Sequence, residues 1–262
     1  MSFERLWHKS YAKGVPGEID IEKITMAEIL TRTAERYPDR VAFIYMGKRI
    51  NYRELERLVN CFTRALVDLG VKEGDKVAML LPNIPQAVIA DHAVYRAGAV
   101  TAMNNPLYSE RELAYQLNDS EATVLVTLDL LLPRALKLKG ETKIRTIITC
   151  HISDYLPFPK KQLFPLVKKS MYRKVEPQEG VYEFMDLIGC YPGTPVENKA
   201  KWESLAALIY TGGTTGVSKG AMLTHANLSS VVQQFSAWFP DLKGNYESIT
   251  GIYPIFHSAG YS

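Results

Sequence analysis

The sequence predicts an α/β fold in which parallel sheets are flanked by helices. Helix signals and strand signals alternate as far as about residue 150, so that the order β-α-β repeats. The predicted strands KVAMLL (76–81) and ATVLVT (122–127) are almost entirely apolar. Strands of this type are typical of parallel sheets that helices cover on both faces.

Capping signals locate the first two helices. Thr25 and Glu28 form a predicted capping box, and the helix that they open is expected to end near Pro38. Asn51 caps the second helix, whose end is marked by Gly70. The apolar residues of this helix recur at helical spacing and are expected to lie on one buried stripe: Leu55, Leu58, Val59, Phe62 and Leu66.

The remaining elements of this region follow in regular order. Residues 41–51 predict a β-hairpin with Gly47 at its turn. Ser109 and Glu112 cap a helix that runs to about Asn118. The other predicted elements are a helix over 85–97, a strand in AVTAM (99–103) and a strand in KIRTIITC (143–150).

A linker divides the chain into two predicted units. Residues 1–190 form an N-terminal α/β subdomain, and 191–201, which begins with YPGTPVENK, reads as the linker. Residues 202–262 are expected to begin a second α/β subdomain that carries a phosphate-binding loop and is truncated. In this unit we predict a strand over 205–210, a Gly-rich loop, a helix over about 226–238 and a strand over 248–255.

Composition limits the class of ligand and the compartment. A net charge of +3 suits an anionic small molecule and gives no support for nucleic-acid binding. Three widely spaced cysteines, Cys61, Cys150 and Cys190, indicate reduced thiols in a cytoplasmic protein. The N-terminus has no apolar signal-peptide region, and no apolar run is long enough to span a bilayer.

The segment 157–174 (PFPKKQLFPLVKKSMYRK), called the basic segment below, contains six cations and no acid. Its three prolines argue against one long helix. One interpretation is a solvated, irregular connection. The other is an element for membrane contact or substrate entry, in which Leu166, Val167, Ser170 and Met171 share a face. The second interpretation would bring a cytoplasmic protein to the inner face of the membrane.

The stretch LIYTGGTTGVSKGAMLTH (208–225) carries the strongest chemical signal. A strand followed by a loop rich in glycine and threonine, and then by a helix, is a layout for phosphate binding. Glycines let backbone N–H groups approach an anion, while hydroxyls and a lysine add donors and charge. The loop fails the Walker A spacing in every register, and Lys219 is followed by Gly220 rather than by a hydroxyl residue, which argues against a P-loop NTPase.

The segment YTGGTTGVSKGAMLTHANL resembles the nucleotide-phosphate loop of the adenylate-forming (AMP-binding) superfamily, which includes acyl-CoA synthetases, firefly luciferase and peptide-synthetase adenylation domains. The family pattern is T-[ST]-G-T-T-G-x-P-K-G. Gly212 and Ser218 depart from it in a way most like bacterial long-chain fatty-acid CoA ligases. The matching residues are Thr211, Gly213, Thr214, Thr215, Gly216, Lys219 and Gly220.

The resemblance extends over nearly the whole chain. The stretches 81–100 and 104–120 are similar to the upstream region of the family, and YPIFHSAG (253–260) is similar to its next core motif, an aromatic–His pair. The resemblance therefore implies an N-terminal fragment, part of the large N-terminal domain of an adenylate-forming enzyme. No Y-G-x-T-E motif, T-G-D motif or late adenylation lysine occurs in the 262 residues.

The resemblance also implies roles for individual residues. Thr214, Thr215, Ser218 and Lys219 would hold the β- and γ-phosphates of ATP, with backbone N–H groups of Gly213 and Gly216. Gly212 and Gly220 complete the loop, and Thr211 is the position associated with Mg²⁺. Phe256 and His257 would lie beside the acyl substrate, with His257 as the catalytic candidate. The residues alone favour a packed Phe and a satisfied His at the end of a strand, and the phosphate loop upstream shifts the preference to the acyl site.

The implied activity is that of an ATP-dependent acyl-CoA synthetase. A fatty acid reacts with ATP, assisted by Mg²⁺, to give an acyl-adenylate, and CoA then takes the acyl group as a thioester. The fragment by itself is expected to be inactive and to self-associate. Two alternatives stay open: another acid-adenylating enzyme (an aryl or amino-acid adenylation domain or a fatty-acid AMP ligase), or a non-catalytic nucleotide-binding module.

Overall fold

A computed structural model of the chain describes residues 5–211, 218–241 and 248–261. These residues contain a two-stranded hairpin and a sheet of seven strands. The strands are β1 (Val41–Tyr45), β2 (Lys48–Asn51), β3 (Lys76–Leu80), β4 (Val100–Met103), β5 (Val124–Leu128), β6 (Thr146–Cys150), β7 (Val181–Glu183), β8 (Leu205–Thr211) and β9 (Lys219–Thr224).

Helices alternate with these strands as the sequence predicts. They are α1 (Met26–Arg36), α2 (Tyr52–Asp68), α3 (Pro85–Arg96), α4 (Glu110–Asp119), α5 (Leu132–Lys139), α6 (Lys160–Val167), α7 (Phe184–Cys190), α8 (His225–Trp238) and α9 (Ser258–Tyr261). Short 3₁₀ turns occur at 6–10, 129–131 and 169–171.

The large sheet has the strand order β7-β6-β5-β3-β4-β8-β9. Neighbouring strands are parallel except for β9, which runs antiparallel to β8. Side chains alternate between the faces of β3, so that Val77 and Met79 join a core with α2, α3 and α7, while Ala78 and Leu80 join one with α4 and α5. The predicted parallel sheet with helices on both faces is confirmed.

The predicted helix caps are confirmed in detail. Glu28 N–H donates to Thr25 Oγ1, and the Glu28 carboxylate accepts the Thr25 N–H at 2.8 Å. Asn51 Oδ1 accepts the Glu54 N–H at 2.7 Å at the start of α2. The predicted stripe of α2 is buried, from Leu55 to Leu66. Each cap satisfies backbone donors that the first helical turn leaves without partners.

The chain reverses direction across the sheet at β3. From β3 the chain continues to β4 on one side and then crosses to β5 on the other side. The carboxyl ends of parallel strands separate at such a point, and ligand sites of open α/β sheets lie there. Asn83 follows β3 and Asp129 follows β5 at this end of the sheet.

Two elements near the C-terminal end differ from the sequence prediction. Residues 219–224 form β9, which the prediction left in the stretch between loop and helix. The predicted strand over 248–255 is wrong, because these residues contain no strand. Side-chain groups of Asn83, rather than a neighbouring strand, bond the backbone of Gly251, Tyr253 and Ile255.

The predicted linker 191–201 contains no helix or strand. Beyond it, β8 pairs with β4 in the same sheet as β3, with Thr101 opposite Ala207. The division into subdomains 1–190 and 202–262 stays a prediction.

Candidate nucleotide and acyl site

The structure describes part of the predicted phosphate loop. Gly212, Gly213, Thr214, Thr215 and Gly216 lie outside the described residues. Thr211, Ser218, Lys219 and Gly220 are described, and they form the two ends of the loop.

The loop joins the antiparallel strands β8 and β9. Thr211 ends β8 and lies opposite Lys219, the first residue of β9. Thr211 Oγ1 donates to the Lys219 carbonyl oxygen at 3.5 Å, and both residues are exposed. The pairing therefore holds a hydroxyl and an ammonium group together at the carboxyl end of β8. Lys219 belongs to a strand, whereas the predicted strand–loop–helix layout led directly from the loop into a helix.

Contacts with α4 fix both sides of the loop. Gln116 Nε2 donates to Ser218 Oγ at 3.3 Å, and the Gln116 side chain is buried. The Tyr210 hydroxyl donates to Asp119 Oδ2 at 2.7 Å and to the Gln116 carbonyl oxygen at 3.1 Å. Burial, and next the hydrogen bond to Asp119, raise the pKa of Tyr210 above its ordinary value. Partly buried polar groups thus connect both loop ends to a helix of the first 190 residues.

The aromatic–His motif lies at the same end of the sheet. Phe256 is half-buried and packs against the core that contains α2 and α3. His257 is exposed, and its N–H donates to the Pro254 carbonyl oxygen at 2.9 Å. Asn83, which follows β3, bonds the backbone immediately before the motif.

The two motifs share the carboxyl end of the sheet because β3, β4 and β8 are parallel neighbours. Adjacent strands lie about 4.8 Å apart, so the ends of β3 and β8 are separated by about 10 Å. A ligand with a charged end at the β8–β9 loop and an apolar end near Phe256 therefore suits this end of the sheet.

His225 and His151 have structural surroundings. His225 is fully buried at the start of α8, and its Nδ1 accepts the Met26 N–H at 3.4 Å. His151 Nδ1 lies 2.9 Å from Asp129 Oδ2. Burial lowers the pKa of His151, but hydrogen bonding and charge interaction with Asp129, together with Asp154 and Glu183, outweigh it and raise the pKa.

Sequence reasoning missed the side chains that support the site from a distance, above all Asn83 and Gln116. Asn83 had a local signal, since it directly follows an apolar strand and a proline in LLPN. Gln116 had no local sequence signal, because its partner Ser218 lies far along the chain.

Comparison with known proteins agrees with this geometry. The sequence model of the family described as AMP-binding enzyme matches residues 30–262. The chain is 36% identical to the long-chain-fatty-acid–CoA ligase of Bacillus subtilis, covering 99% of this chain and 47% of that protein. It is 34% identical to the enzyme of the same name from Escherichia coli O157:H7, covering 97% of this chain and 46% of that protein.

A solved structure shows the same fold. The crystal structure of a long-chain-fatty-acid-CoA ligase from Archaeoglobus fulgidus aligns with a TM-score of 0.75 and 25% identity, covering 96% of this chain and 46% of that one. The chain thus spans about half the length of the curated relatives that it matches. With the family match over residues 30–262 and the loop at the carboxyl end of its sheet, the chain belongs to the AMP-binding enzyme family.

Proposed function

We propose that this chain supplies the phosphate-binding and acid-binding parts of an ATP-dependent long-chain fatty-acid–CoA ligase. The observation that carries the proposal is the common position of Lys219 and the Phe256–His257 motif at the carboxyl end of one parallel sheet. The names of the Bacillus and Escherichia relatives support the choice of a long-chain fatty acid.

The reaction needs charge neutralisation and alignment. An oxygen of the fatty-acid carboxylate attacks the α-phosphorus of ATP, an acyl–phosphate bond forms, and pyrophosphate leaves. The thiolate of CoA then attacks the acyl carbonyl carbon, and AMP leaves with the bonding electron pair. Both steps gain from fixed donors at the phosphates and from a fixed line of attack.

The loop residues suit the phosphate part of this reaction. Lys219 supplies positive charge, and Ser218 supplies a hydroxyl that Gln116 orients. In our proposal Thr214 and Thr215 add hydroxyl donors, and the backbone N–H groups of Gly213 and Gly216 complete the cradle for the β- and γ-phosphates.

Mg²⁺ fits the described part of the site only together with phosphate oxygens. Thr211 offers one neutral hydroxyl oxygen, and the described residues contain no group of three or more His, Cys, Asp or Glu side chains that could hold a metal ion. Mg²⁺ commonly keeps phosphate oxygens and waters as ligands beside one or two protein oxygens. We assign Thr211 as the protein group near the ion, which when bound would offset phosphate charge.

The aromatic–His motif suits the acid part. Phe256 presents an aromatic ring that is half-buried against the core, and His257 presents an exposed imidazole next to it. We assign Phe256 to the wall of the acyl path and His257 to the orientation of the carboxylate. An imidazole N–H at this position donates a hydrogen bond to a carboxylate oxygen.

Two other functions share the same loop. Aryl or amino-acid adenylating enzymes and fatty-acid AMP ligases bind the same triphosphate, so the loop by itself does not separate them from a CoA ligase. A non-catalytic nucleotide-binding module is the third candidate.

The test uses the complete native protein with ATP, Mg²⁺ and palmitate, benzoate or an amino acid, with and without CoA. We expect pyrophosphate release with palmitate, and a palmitoyl thioester only when CoA is added. Lys219→Ala should raise the KM for ATP by about 10- to 100-fold, because a charged hydrogen bond contributes about 1.5–3 kcal/mol, and leave the KM for palmitate unchanged.

The matched control is Lys72→Ala, which removes an exposed cation at the turn before β3. Release of pyrophosphate only with benzoate or an amino acid would favour the other adenylating enzymes. Acyl-adenylate without thioester would favour an AMP ligase, and nucleotide binding without turnover would favour the non-catalytic module.

We also propose that the basic segment 157–174 contacts an anionic membrane surface, where long-chain acids partition. Phe158 is 83% exposed and Val167 71%, beside the six cations of the segment. Both ends of the segment are anchored: Leu156 is buried at one end, and the Arg173 N–H donates to Asp129 Oδ2 at 2.6 Å at the other. Exposed apolar side chains among cations are the composition of peripheral membrane elements.

This contact would be peripheral. Across the ranges 5–211, 218–241 and 248–261, no helix has both the length and the apolar character needed to cross a bilayer. A cytoplasmic location at the inner face of the membrane belongs to the same proposal.

A further inference from the structure

We propose that Asn83 and Asp91 are positioning residues for the acid side of the site. Asn83 holds the backbone of 251–255, Asp91 holds Tyr261, and Phe256 and His257 are fixed between these two points. The inference rests on the proposed function, because it takes Phe256 and His257 as the groups that meet the fatty acid.

The first attachment is the side-chain amide of Asn83, an exposed residue just after the carboxyl end of β3. Its Nδ2 donates to the carbonyl oxygens of Gly251 at 3.0 Å and Tyr253 at 2.7 Å. Its Oδ1 accepts the N–H of Ile255 at 2.9 Å. Backbone polar groups need partners, and 251–255 has no strand to supply them. One amide thus replaces a strand as the support of this segment.

The second attachment is a buried carboxyl group on α3. Asp91 Oδ1 accepts the hydroxyl of Thr101, on β4, at 2.7 Å and the hydroxyl of Tyr261, on α9, at 2.8 Å. Tyr261 is also hydrogen-bonded to Tyr95, which is fully buried. Burial raises the pKa of Asp91 to about 6, although the bonds from Thr101 and Tyr261 lower it. A buried carboxylate is costly without donors, so Asp91 favours the arrangement in which Tyr261 reaches it.

The two attachments bracket the aromatic–His motif. Ile255 directly precedes Phe256, and Tyr261 ends the short helix that follows His257. Ile255, Phe256 and Tyr261 all pack against the core shared by α2 and α3. Between two fixed points and an apolar surface, the motif has one orientation relative to the sheet. The phosphate loop depends instead on Gln116 and Tyr210, so the two halves of the site have separate supports.

Because the two halves of the site have separate supports, a variant of one support should change the KM of only one substrate. In the complete native protein, Asn83→Ala should raise the KM for the fatty acid by about 10- to 100-fold, because small misplacements of reacting groups are costly. The KM for ATP should stay unchanged. Tyr261→Phe keeps the ring but removes the hydroxyl that reaches Asp91, and it should act in the same direction.

Matched controls exist in the chain. Asn118→Ala removes an exposed amide whose Nδ2 donates to the Glu141 carbonyl oxygen, a bond of the same kind that does not involve the segment 251–255. Tyr182→Phe removes an exposed hydroxyl from β7. These two control variants should leave the KM for the fatty acid and the KM for ATP unchanged. Urea unfolding of each variant separates loss of positioning from loss of the fold.

Hydrogen exchange gives a measurement that does not depend on activity. Peptides that contain Ile255 should exchange faster in Asn83→Ala than in the parent protein, whereas peptides from β3 and α2 should not. Unchanged exchange, or an equal rise of both KM values, overturns the inference. If no carboxylic acid gives ATP-dependent pyrophosphate release, the proposed function is wrong, and the exchange data alone decide whether Asn83 holds the segment.

Discussion

At Gly220 the absence of a side chain has a direct structural use. A Cβ added there would lie 3.3 Å from Cζ of Tyr210, closer than most Cβ contacts. The ring of Tyr210 therefore covers the backbone of β9 while its hydroxyl reaches Asp119 on α4. A larger residue at 220 would displace either the ring or the strand, and with it the neighbouring Lys219. Packing thus accounts for the glycine at this position, apart from its predicted part in the phosphate loop.

His225 makes the stability of the fold depend on pH. Burial lowers its pKa to about 4, although Glu28 opposes the shift. In the unfolded chain the pKa is about 6.5, so the unfolded state binds more protons between these values. The stabilisation is complete above about pH 6.5 and is lost as the pH falls toward 4, by up to about 3 kcal/mol.

We expect His225→Gln to lose less stability than the parent protein between pH 7.5 and pH 5, measured by urea unfolding. The comparison with the parent protein is needed because other buried groups also make the stability depend on pH. Burial lowers the pKa of His92 to about 4, so His92 acts in the same direction as His225. Burial raises the pKa of Asp91 to about 6, so Asp91 changes the stability in the opposite direction below pH 6. His257→Gln, which changes an exposed ring, is the control. Equal pH dependence of His225→Gln and the parent would contradict the assignment.

At the scale of elements, the basic segment gives a second expectation. Each cation near an anionic membrane contributes about 1 kcal/mol, so that reversing Lys168 and Lys169 to Glu should weaken vesicle binding by at least about 10-fold. Co-sedimentation with vesicles of anionic phospholipid at low and high salt measures the vesicle binding of each variant. The control is the double reversal of Lys13 and Lys23, two exposed cations outside the segment that give the same change of net charge. If the two double variants bind alike, the segment is a solvated connection.

Local signals predicted the elements that depend on nearby residues. The capping boxes at Thr25 and Ser109 join groups three residues apart, and the structure contains both. The strand over 248–255 was predicted wrongly because its partner, Asn83, lies far along the chain and satisfies the backbone with a side chain. One sequence signal could have predicted β9. The cap at Thr224 starts α8 at His225, so residues 219–224 lie outside the helix and can form a strand.

At the scale of the whole molecule, the parts of the candidate site also differ in whether a local sequence signal predicts them. The roles of Thr211 and Lys219 are predicted from a motif that spans only a few residues, and they stay predictions. The contacts of Gln116 with Ser218 and of Asn83 with 251–255 were not predictable, because the strand order brings these distant residues together. Strand order follows from long-range pairing, which the local sequence pattern does not specify.

The distribution of exposed apolar residues leads to an expectation for the 262 residues taken alone. Several large apolar side chains after β8 are exposed: Met222, Phe235, Trp238, Ile249 and Ile252. Several exposed large apolar side chains in one part of a chain favour association with another surface. Since the chain corresponds to 47% of the Bacillus relative, we expect these residues alone to self-associate and to form no thioester.

Sedimentation velocity over a range of concentrations measures the self-association. A thioester assay with ATP, Mg²⁺, palmitate and CoA measures the turnover. A Met222→Ser, Ile252→Ser double variant should reduce the association, whereas Leu107→Ser, at an 88% exposed position before α4, should not. A monodisperse chain with turnover that Lys219→Ala abolishes would contradict the expectation.

The position of β4 has a consequence for synthesis on the ribosome. β4 lies between β3 and β8, and β8 is about a hundred residues further along the chain. Strands β3 to β7 are therefore translated while one side of β4, with its buried residues Val100–Met103, still lacks a neighbour. An unpaired apolar strand is prone to pair with other chains. The nascent protein carries this liability until β8 emerges, and the strand that leads into the predicted phosphate loop is the one that removes it.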